Sequence, residues 1–520
     1  MSDNSSSDSP HGGARRPALS GFATRLPLVV VAGLLVALIV FLVFGPLLGT
    51  RTEQRNVILI VADALRADHL GCYGFDRPTS PVIDQLAAGG LRCTDYNTVA
   101  PSTLASFTSL FTSKHTKNHG AARNGFVPFE NLPTLAEAYR DAGYETVAFV
   151  SSYSITSDFA VNKGFDHFDE EMTATTTLPD NSLIRPAKNV TDAFFRWLNA
   201  RKEDKPFFVL IHYFDPHWPY EPPARFVAPV RTTRTGLVNR ASHMDVDRAK
   251  QILATSGGVP DDYVYAVHDL YCAEIRYMDD EIGRLVRRFR GKDKYETGTI
   301  FVFTADHGET FWEHRDYFFH GLTVYETAIN VPLIFNCPGL IPAGGVRDLP
   351  FSNIDLAPTL CRLNGVEIPE TFAGMSFDSF LRSADGGHES AGAEAGGRFE
   401  ESPEESSPSR LRYSEATMPY QEETGMPRPN YRKSKSIRRG PWKYIVYPFS
   451  NDEGELYNID DDPGEKNDLA GEEEYAHMVE AFEEEIKRWT DDFDRNKDRD
   501  RFSESATKPL EKIGYGGGDR

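Results

Sequence analysis

The run NVILIVADALRADHL, residues 56–70, decides how this chain folds. Its first seven residues, 56–62, are almost continuously apolar and rich in β-branched side chains. A strand with one face in water alternates; this one does not, so it is read as covered on both faces, as in a parallel sheet flanked by helices. Three further runs have the same character: ETVAFVSS (145–152), PFFVLIHY (206–213) and GTIFVFTA (298–305). Between them lie helical patterns. SPVIDQLAAGG opens on Ser and stops on Gly, LPTLAEAYRDAGY places Leu135, Ala138 and Tyr139 on one face, and residues 265–290 repeat Ile275, Ile282, Leu285, Val286 and Phe289 at three- and four-residue steps. Strand–helix alternation of this kind predicts an α/β domain with a doubly wound, mostly parallel sheet.

Polar residues follow those strands. Asp63 closes the first, Asp215 and His217 follow the third in HYFDPHWPY, and Asp306 and His307 follow the fourth in TADHGE. Open α/β sheets bind ligands beyond the carboxyl ends of their strands, so these groups share one rim. Carboxylates and imidazoles together are divalent-metal ligands. Each alone has a plain structural account, Asp63 as a helix cap and His307 as a loop histidine, but three strands ending this way point to a site.

The 520 residues carry a formal net charge of −21, which argues against nucleic acid as a partner. Five scattered cysteines, Cys72, Cys93, Cys272, Cys337 and Cys361, form neither a disulfide framework nor a zinc cluster and are read as buried free thiols. Residues 1–25 are a polar, disordered tail. Residues 26–49 are uncharged and apolar, long enough to cross a hydrocarbon core of ~30 Å, and longer than the apolar region of a signal peptide. They are read as a single transmembrane anchor in the cell membrane, with the flanking arginines placing the main domain outside the cytoplasm. The remaining boundaries are a catalytic domain over 55–382, a disordered acidic insertion over 383–410, a small α+β subdomain over 411–490 and a loose tail over 491–520; residues 228–260 also lack any sustained apolar period.

The segment 56–96, FVFTADHGE (301–309), HGLTVYETAINVPLIF (320–335), residues 355–377 and residues 443–470 resemble, in order, the signatures of the sulfatase branch of the alkaline phosphatase superfamily. The resemblance implies a metal-dependent hydrolase of sulfuric, phosphoric or phosphonic esters on a small molecule, glycan or lipid. It implies one divalent metal, Mn²⁺, Zn²⁺, Ca²⁺ or Mg²⁺, held by Asp63, Asp306 and His307 with the nucleophile's oxygen. The nucleophile lies in VAPSTLASFTSLFTSKHTKNHG, residues 99–120, which is crowded with hydroxyls from Ser102 to Ser113. TSK (Thr112, Ser113, Lys114) stands where the family has T-G-R, and the family spacing back from it lands on Thr103, with Ser102 as the fallback. The other hydroxyls are expected to cap and pack a helix.

The departures from the family pattern carry information. Threonine cannot become formylglycine, and a threonine sulfate cannot expel sulfate by C–O elimination. Thr103 therefore suits phosphoryl transfer, as in phosphonate monoester hydrolases and phosphodiesterases. The family's arginine is Phe107, and its Asp-Asp pair is Asp63-Ala64. Lys114 is expected to replace the missing charge at Phe107. His217 and His320 are expected to bind the ester oxygens or protonate the leaving group; alternatively they form a second metal site with Asp215. Arg66 and Asp68 are expected to pair and brace the Asp63 turn, and Trp218 and Tyr220 either line the pocket or pack. Two other readings stay open: a headgroup phosphotransferase, and a catalytically dead binding protein.

Overall fold

The computed structural model describes residues 54–122, 124–129, 131–172, 185–202, 205–231, 261–290, 298–314, 320–383, 410–416, 434–448 and 454–494. The N-terminal tail, the apolar stretch 26–49, most of the 383–410 insertion, residues 232–260 and the tail beyond 494 lie outside the described residues. Among those described, no helix is long and apolar enough to cross a membrane.

The core is an eight-stranded sheet. Its strands are β1 (Asn56–Ala62), β2 (Leu91–Cys93), β3 (Glu145–Phe149), β4 (His167–Asp169), β5 (Phe207–Tyr213), β6 (Thr299–Ala305), β7 (Leu333–Asn336) and β8 (Gly345–Arg347). They run in the order β4-β3-β5-β1-β6-β7-β2-β8. The four strands expected from the sequence form its contiguous parallel centre, β3-β5-β1-β6. The sheet is mixed, however, because β7 runs antiparallel to both of its neighbours. Every residue of β5 and β6, and all of β1 except Asn56, is buried, which accounts for their unbroken apolarity.

Helices cover both faces. The sequence patterns become α1 (Pro81–Ala88), α3 (Leu135–Asp141) and α5 (Asp261–Phe289), and between them in the chain come α2 (Thr103–Thr112) and α4 (Ala187–Ala200). Thr134 and Glu137 close a reciprocal capping box on α3. On α5, Ile275, Ile282, Leu285, Val286 and Phe289 are all buried in the core. Helix α6 (Leu356–Leu363) completes that core.

The C-terminal subdomain is an antiparallel sheet of β9 (Leu411–Glu415), β10 (Lys435–Arg439), β11 (Trp442–Val446) and β12 (Glu455–Asn458). Helix α7 (Ala476–Asp494) buries Phe482 and Ile486 against Ile437, Tyr444 and Leu456. Charged side chains tie this sheet to the main domain. Arg412 pairs with Asp95 at 2.6 Å, and Lys443 with Glu326 at 3.0 Å.

Candidate active site

Sheet register sets the site. Ala62 lies opposite Tyr213 of β5 and Ala305 of β6, so the chain leaves all three strands at one level. The Asp63 N–H donates to the Tyr213 carbonyl at 2.9 Å, and the Asp306 N–H to Ala62 at 3.2 Å. Asp63 and Asp306 thereby emerge side by side. Asp306 Oδ1 is consumed locally, accepting the N–H groups of Ala64 at 3.1 Å and His307 at 2.8 Å. Gly308 lets this loop press on the next segment; a Cβ there would stand 2.0 Å from the Thr327 carbonyl oxygen.

Both oxygens of Asp63, Oδ2 of Asp306 and Nε2 of His212 are buried and make no hydrogen bond. One ligand atom from each of Asp63, His212 and Asp306 lies within 4.8 Å of the others. His307 Nε2 stands 3.5 Å from Asp63 and 3.6 Å from Asp306. Its Nδ1 donates to the Gly308 carbonyl at 2.8 Å, so the lone pair is on Nε2 and faces the carboxylates. Buried polar atoms are nearly always satisfied, so this convergence is costly without a charge at its centre.

The electrostatics point the same way. Burial, reinforced by Asp306 and Glu309, pushes Asp63 well above the carboxylate range. Burial lifts Asp306 to about 8. Burial drives His212 down to about 3, and drives His307 lower than its ordinary value, with His320 adding to the effect. Acids held protonated beside imidazoles held neutral describe a pocket short of positive charge. A divalent cation would supply it, and the donor set of carboxylate oxygens and imidazole nitrogens suits one.

Thr103 opens α2 and faces this cluster, with Oγ1 3.4 Å from His307 Nε2. Six other hydroxyls of the run have a structural occupation, while Thr116 Oγ1, beyond the far end of α2, is buried without a hydrogen bond. Ser102 donates to Asn124 Oδ1 at 3.3 Å, Ser106 to the Asp306 carbonyl at 2.6 Å and Thr108 to the Leu104 carbonyl at 2.8 Å. Ser109 meets His119 at 2.8 Å, Thr112 donates to the Thr108 carbonyl at 2.6 Å, and Ser113 to the Ile354 carbonyl at 2.6 Å. The Asn124 carbonyl also caps α2, accepting the Leu104 N–H at 2.9 Å, while its Nδ2 is buried without a partner.

Two histidines complete the pocket. The His320 ring lies 4.1 Å from that of His307 and 4.9 Å from that of His217, and His320 Nδ1 is 3.5 Å from the buried Glu309. Tyr220 donates to Glu309 at 3.4 Å, so its ring packs and its hydroxyl braces the site. Trp218 is half-buried and packs against the core. Arg66 forks onto Asp68 at 2.9 and 2.7 Å and also reaches Glu313, bracing the turn after Asp63.

Two expectations need correction. Lys114 does not enter the pocket; it lies beyond the far end of α2, where its ammonium donates to the Thr371 carbonyl. Phe107 is instead packed edge-on against the His212 ring, 5.1 Å between centroids. Nor does Asp215 join His217 and His320 in a second metal site. It turns away to accept the Ala187 N–H at 2.9 Å at the start of α4, and it hydrogen-bonds Glu274, with burial lifting it to about 6. Conversely, sequence reasoning passed over His212, Asn124 and Glu309. An imidazole inside an apolar strand was the available signal for His212.

Another cluster, His69, His268 and Cys272, also has ligand-like spacing. Its protons are accounted for. Arg77 donates to His268 Nδ1 at 2.6 Å, which puts the His268 proton on Nε2, facing His69 Nε2; His69 Nδ1 in turn donates to Asp68 at 2.7 Å. It is a closed hydrogen-bond chain beside a thiol that burial pushes up to about 12.

Comparison with known proteins identifies the family and the fold. Residues 55–366 match the family model described as Sulfatase. The chain is 25% identical over 361 residues to the uncharacterized sulfatase YidJ of Escherichia coli (strain K12), covering 62% of this chain and 70% of that protein. Its fold is similar to that of a protein solved in complex with its substrate D-glucosamine-2-N,6-O-disulfate, with a TM-score of 0.65 at 20% identity, covering 87% of this chain and 100% of that one. It is also similar to a phosphonate monoester hydrolase from Silicibacter pomeroyi, with a TM-score of 0.61 at 21% identity, covering 84% and 95%.

Proposed function

The chain belongs to the sulfatase family and is an ester hydrolase of that family, and from this premise we propose that it acts through an unmodified Thr103, on phosphoric or phosphonic esters in preference to sulfuric esters. The observation that carries the reading is the distribution of hydroxyls around α2. Six are bound into structure, Thr116 lies four residues beyond the end of α2, and Thr103 meets His307 at the acidic cluster.

Asp63, Asp306 and His307, with the Thr103 hydroxyl, would hold the divalent ion. When bound, that ion supplies a Lewis acid which favours ionisation of a nearby hydroxyl and offsets negative charge on the ester. Thr103 Oγ1 attacks phosphorus; the new Oγ1–P bond forms as the P–O bond to the leaving alcohol breaks. The proton that Thr103 gives up passes to His217 or His320, whose rings follow that of His307 in succession, and from there to the leaving oxygen. Water then cleaves the Thr103 ester, releasing the acid and restoring the hydroxyl. Asn124 Nδ2, buried and unpartnered beside the start of α2, donates to a non-bridging oxygen during both steps.

The sugar disulfate substrate of the structural relative supports a glycan as one class of leaving group. As an anchor, residues 26–49 would hold the site outside the cytoplasm beside a membrane surface. The test is a panel of matched aryl phosphodiesters, phosphonates and sulfates, run with several divalent metals on the full chain in detergent. Phosphorus esters are expected to turn over faster. Preferred hydrolysis of the sulfate overturns the reading.

A further inference from the structure

His212 is the one imidazole within the apolar strand β5, and it is fully buried. Both of its ring nitrogens therefore need partners. Ser151 stands at one of them, with Oγ 2.9 Å from His212 Nδ1. The Ser151 hydroxyl has a single proton, and it is donated to the His212 carbonyl oxygen at 2.8 Å. Ser151 Oγ must then accept from Nδ1–H. That fixes the tautomer and leaves the lone pair on Nε2. Nε2 has no hydrogen-bond partner and lies 3.6 Å from Asp63 Oδ2, itself unpartnered. A nitrogen lone pair facing a carboxylate oxygen in a dry pocket is repulsive unless a cation lies between them. Phe107 presses on the imidazole with ring planes at 78°, holding it in place.

The neighbour of Asp63 in sequence is Ala64, in a left-handed conformation at φ 58°. Its methyl group can donate nothing to a metal. We infer that His212 Nε2 is a ligand of the ion bound by Asp63 and Asp306, supplying the donor that Ala64 cannot, with Ser151 as its positioning residue. This rests on the reading of the cluster as a metal centre and deepens it. A neutral imidazole in place of a carboxylate lowers the negative charge of the donor set by one and adds a nitrogen. The site then favours Zn²⁺, Co²⁺ or Mn²⁺ over Ca²⁺ and Mg²⁺.

The experiment uses Co²⁺ as probe on the chelator-stripped full chain, with binding followed by visible absorption and by paramagnetic proton NMR. Two solvent-exchangeable imidazole N–H resonances shifted by the metal are expected, from His307 and His212, and excess Ca²⁺ should not displace the cobalt. H212Q should lose one resonance and weaken Co²⁺ binding about 100-fold, while S151A weakens it about tenfold. If H212Q fails to fold, the resonance count in the unaltered protein and the S151A affinity decide. Cobalt bound with a single N–H resonance, or with an affinity indifferent to both substitutions, overturns the assignment of His212 and leaves the metal centre standing. No uptake of Co²⁺ by the unaltered protein overturns both.

Discussion

Thr103 Oγ1 lies 3.4 Å from Nε2 of His307, although 204 positions separate the two residues in the chain. The helix that carries Thr103 is tied to the loop that carries His307 by the Ser106 hydroxyl on the Asp306 carbonyl. The contact is thus between two elements locked together, and the hydroxyl needs no large movement to act. T103A should lower turnover by about 10⁴ or more, the scale seen when a nucleophile is removed. Metal content should persist, because Asp63, Asp306 and His307 remain. Turnover and metal analysis on the same preparation check this; full activity in T103A removes the residue from the reaction.

Asn124 caps α2 with its carbonyl oxygen and leaves its amide nitrogen buried and unpartnered. Asp at this position keeps the cap but replaces the donor by a negative oxygen. N124D should therefore retain the melting temperature within a few degrees and lose about 10²–10³ in kcat, as when one oxyanion donor is removed. N124A should lose both the donor and about 1 kcal/mol of cap energy. Equal kcat in N124D and the unaltered protein would assign Asn124 to capping alone.

Much of this site was legible in the sequence because three of its residues sit where β1 and β6 end. Unbroken apolar runs located those strands, and parallel register does the rest, carrying Asp63 beside Asp306 and His307. Side-chain direction was not legible. Lys114 stands beyond Thr112, the last residue of α2; nine steps from Thr103 at 1.5 Å each put that end about 14 Å away, too far to serve the same pocket. Asp215 follows β5 as Asp63 follows β1, yet its partner is Glu274, on a helix whose docking no local pattern specifies. His212 was hidden for the opposite reason. It lies inside the strand, where an apolar run absorbs a single imidazole, and its meaning depends on Ser151 from the neighbouring chain segment. The reversal of β7 likewise depends on pairing between distant segments.

Removing the metal should expose a pH dependence whose sign follows from Asp306. Burial raises its folded-state value from 3.8 to about 8, and Asp63 is raised as well. Between those limits the metal-free folded state keeps protons that the unfolded state has released, so its stability falls as pH rises. Each retained proton is worth about 1 kcal/mol per pH unit. A bound cation replaces those protons and cancels the loss. From about pH 6.5 to about 8, above the titration of unfolded histidine, the gap in melting temperature between metal-loaded and stripped protein should widen. Thermal unfolding with and without chelator measures it. A constant gap would mean that these carboxylates are ionised without metal.

Lys443 is wholly buried where the C-terminal sheet meets the main domain, 3.0 Å from Glu326 and 2.7 Å from Glu465. Burial alone would raise Glu326, but Lys443 and Arg438 hold it well below the carboxylate range. Burial outweighs the same lysine at Glu465, lifting it to about 7. K443M keeps most of the side-chain volume and removes the charge, leaving two buried carboxyl groups against a single arginine. Breaking a buried pair from one side costs about 3–5 kcal/mol, and denaturant unfolding should show a loss of that size near neutral pH. Glu465 offers partial relief, because a protonated carboxyl needs no counter-charge. The folded state of K443M binds that proton more readily than the unfolded chain, so its stability should rise as pH falls from about 8 toward 6. A loss independent of pH over this range would show that Arg438 alone neutralises the pair.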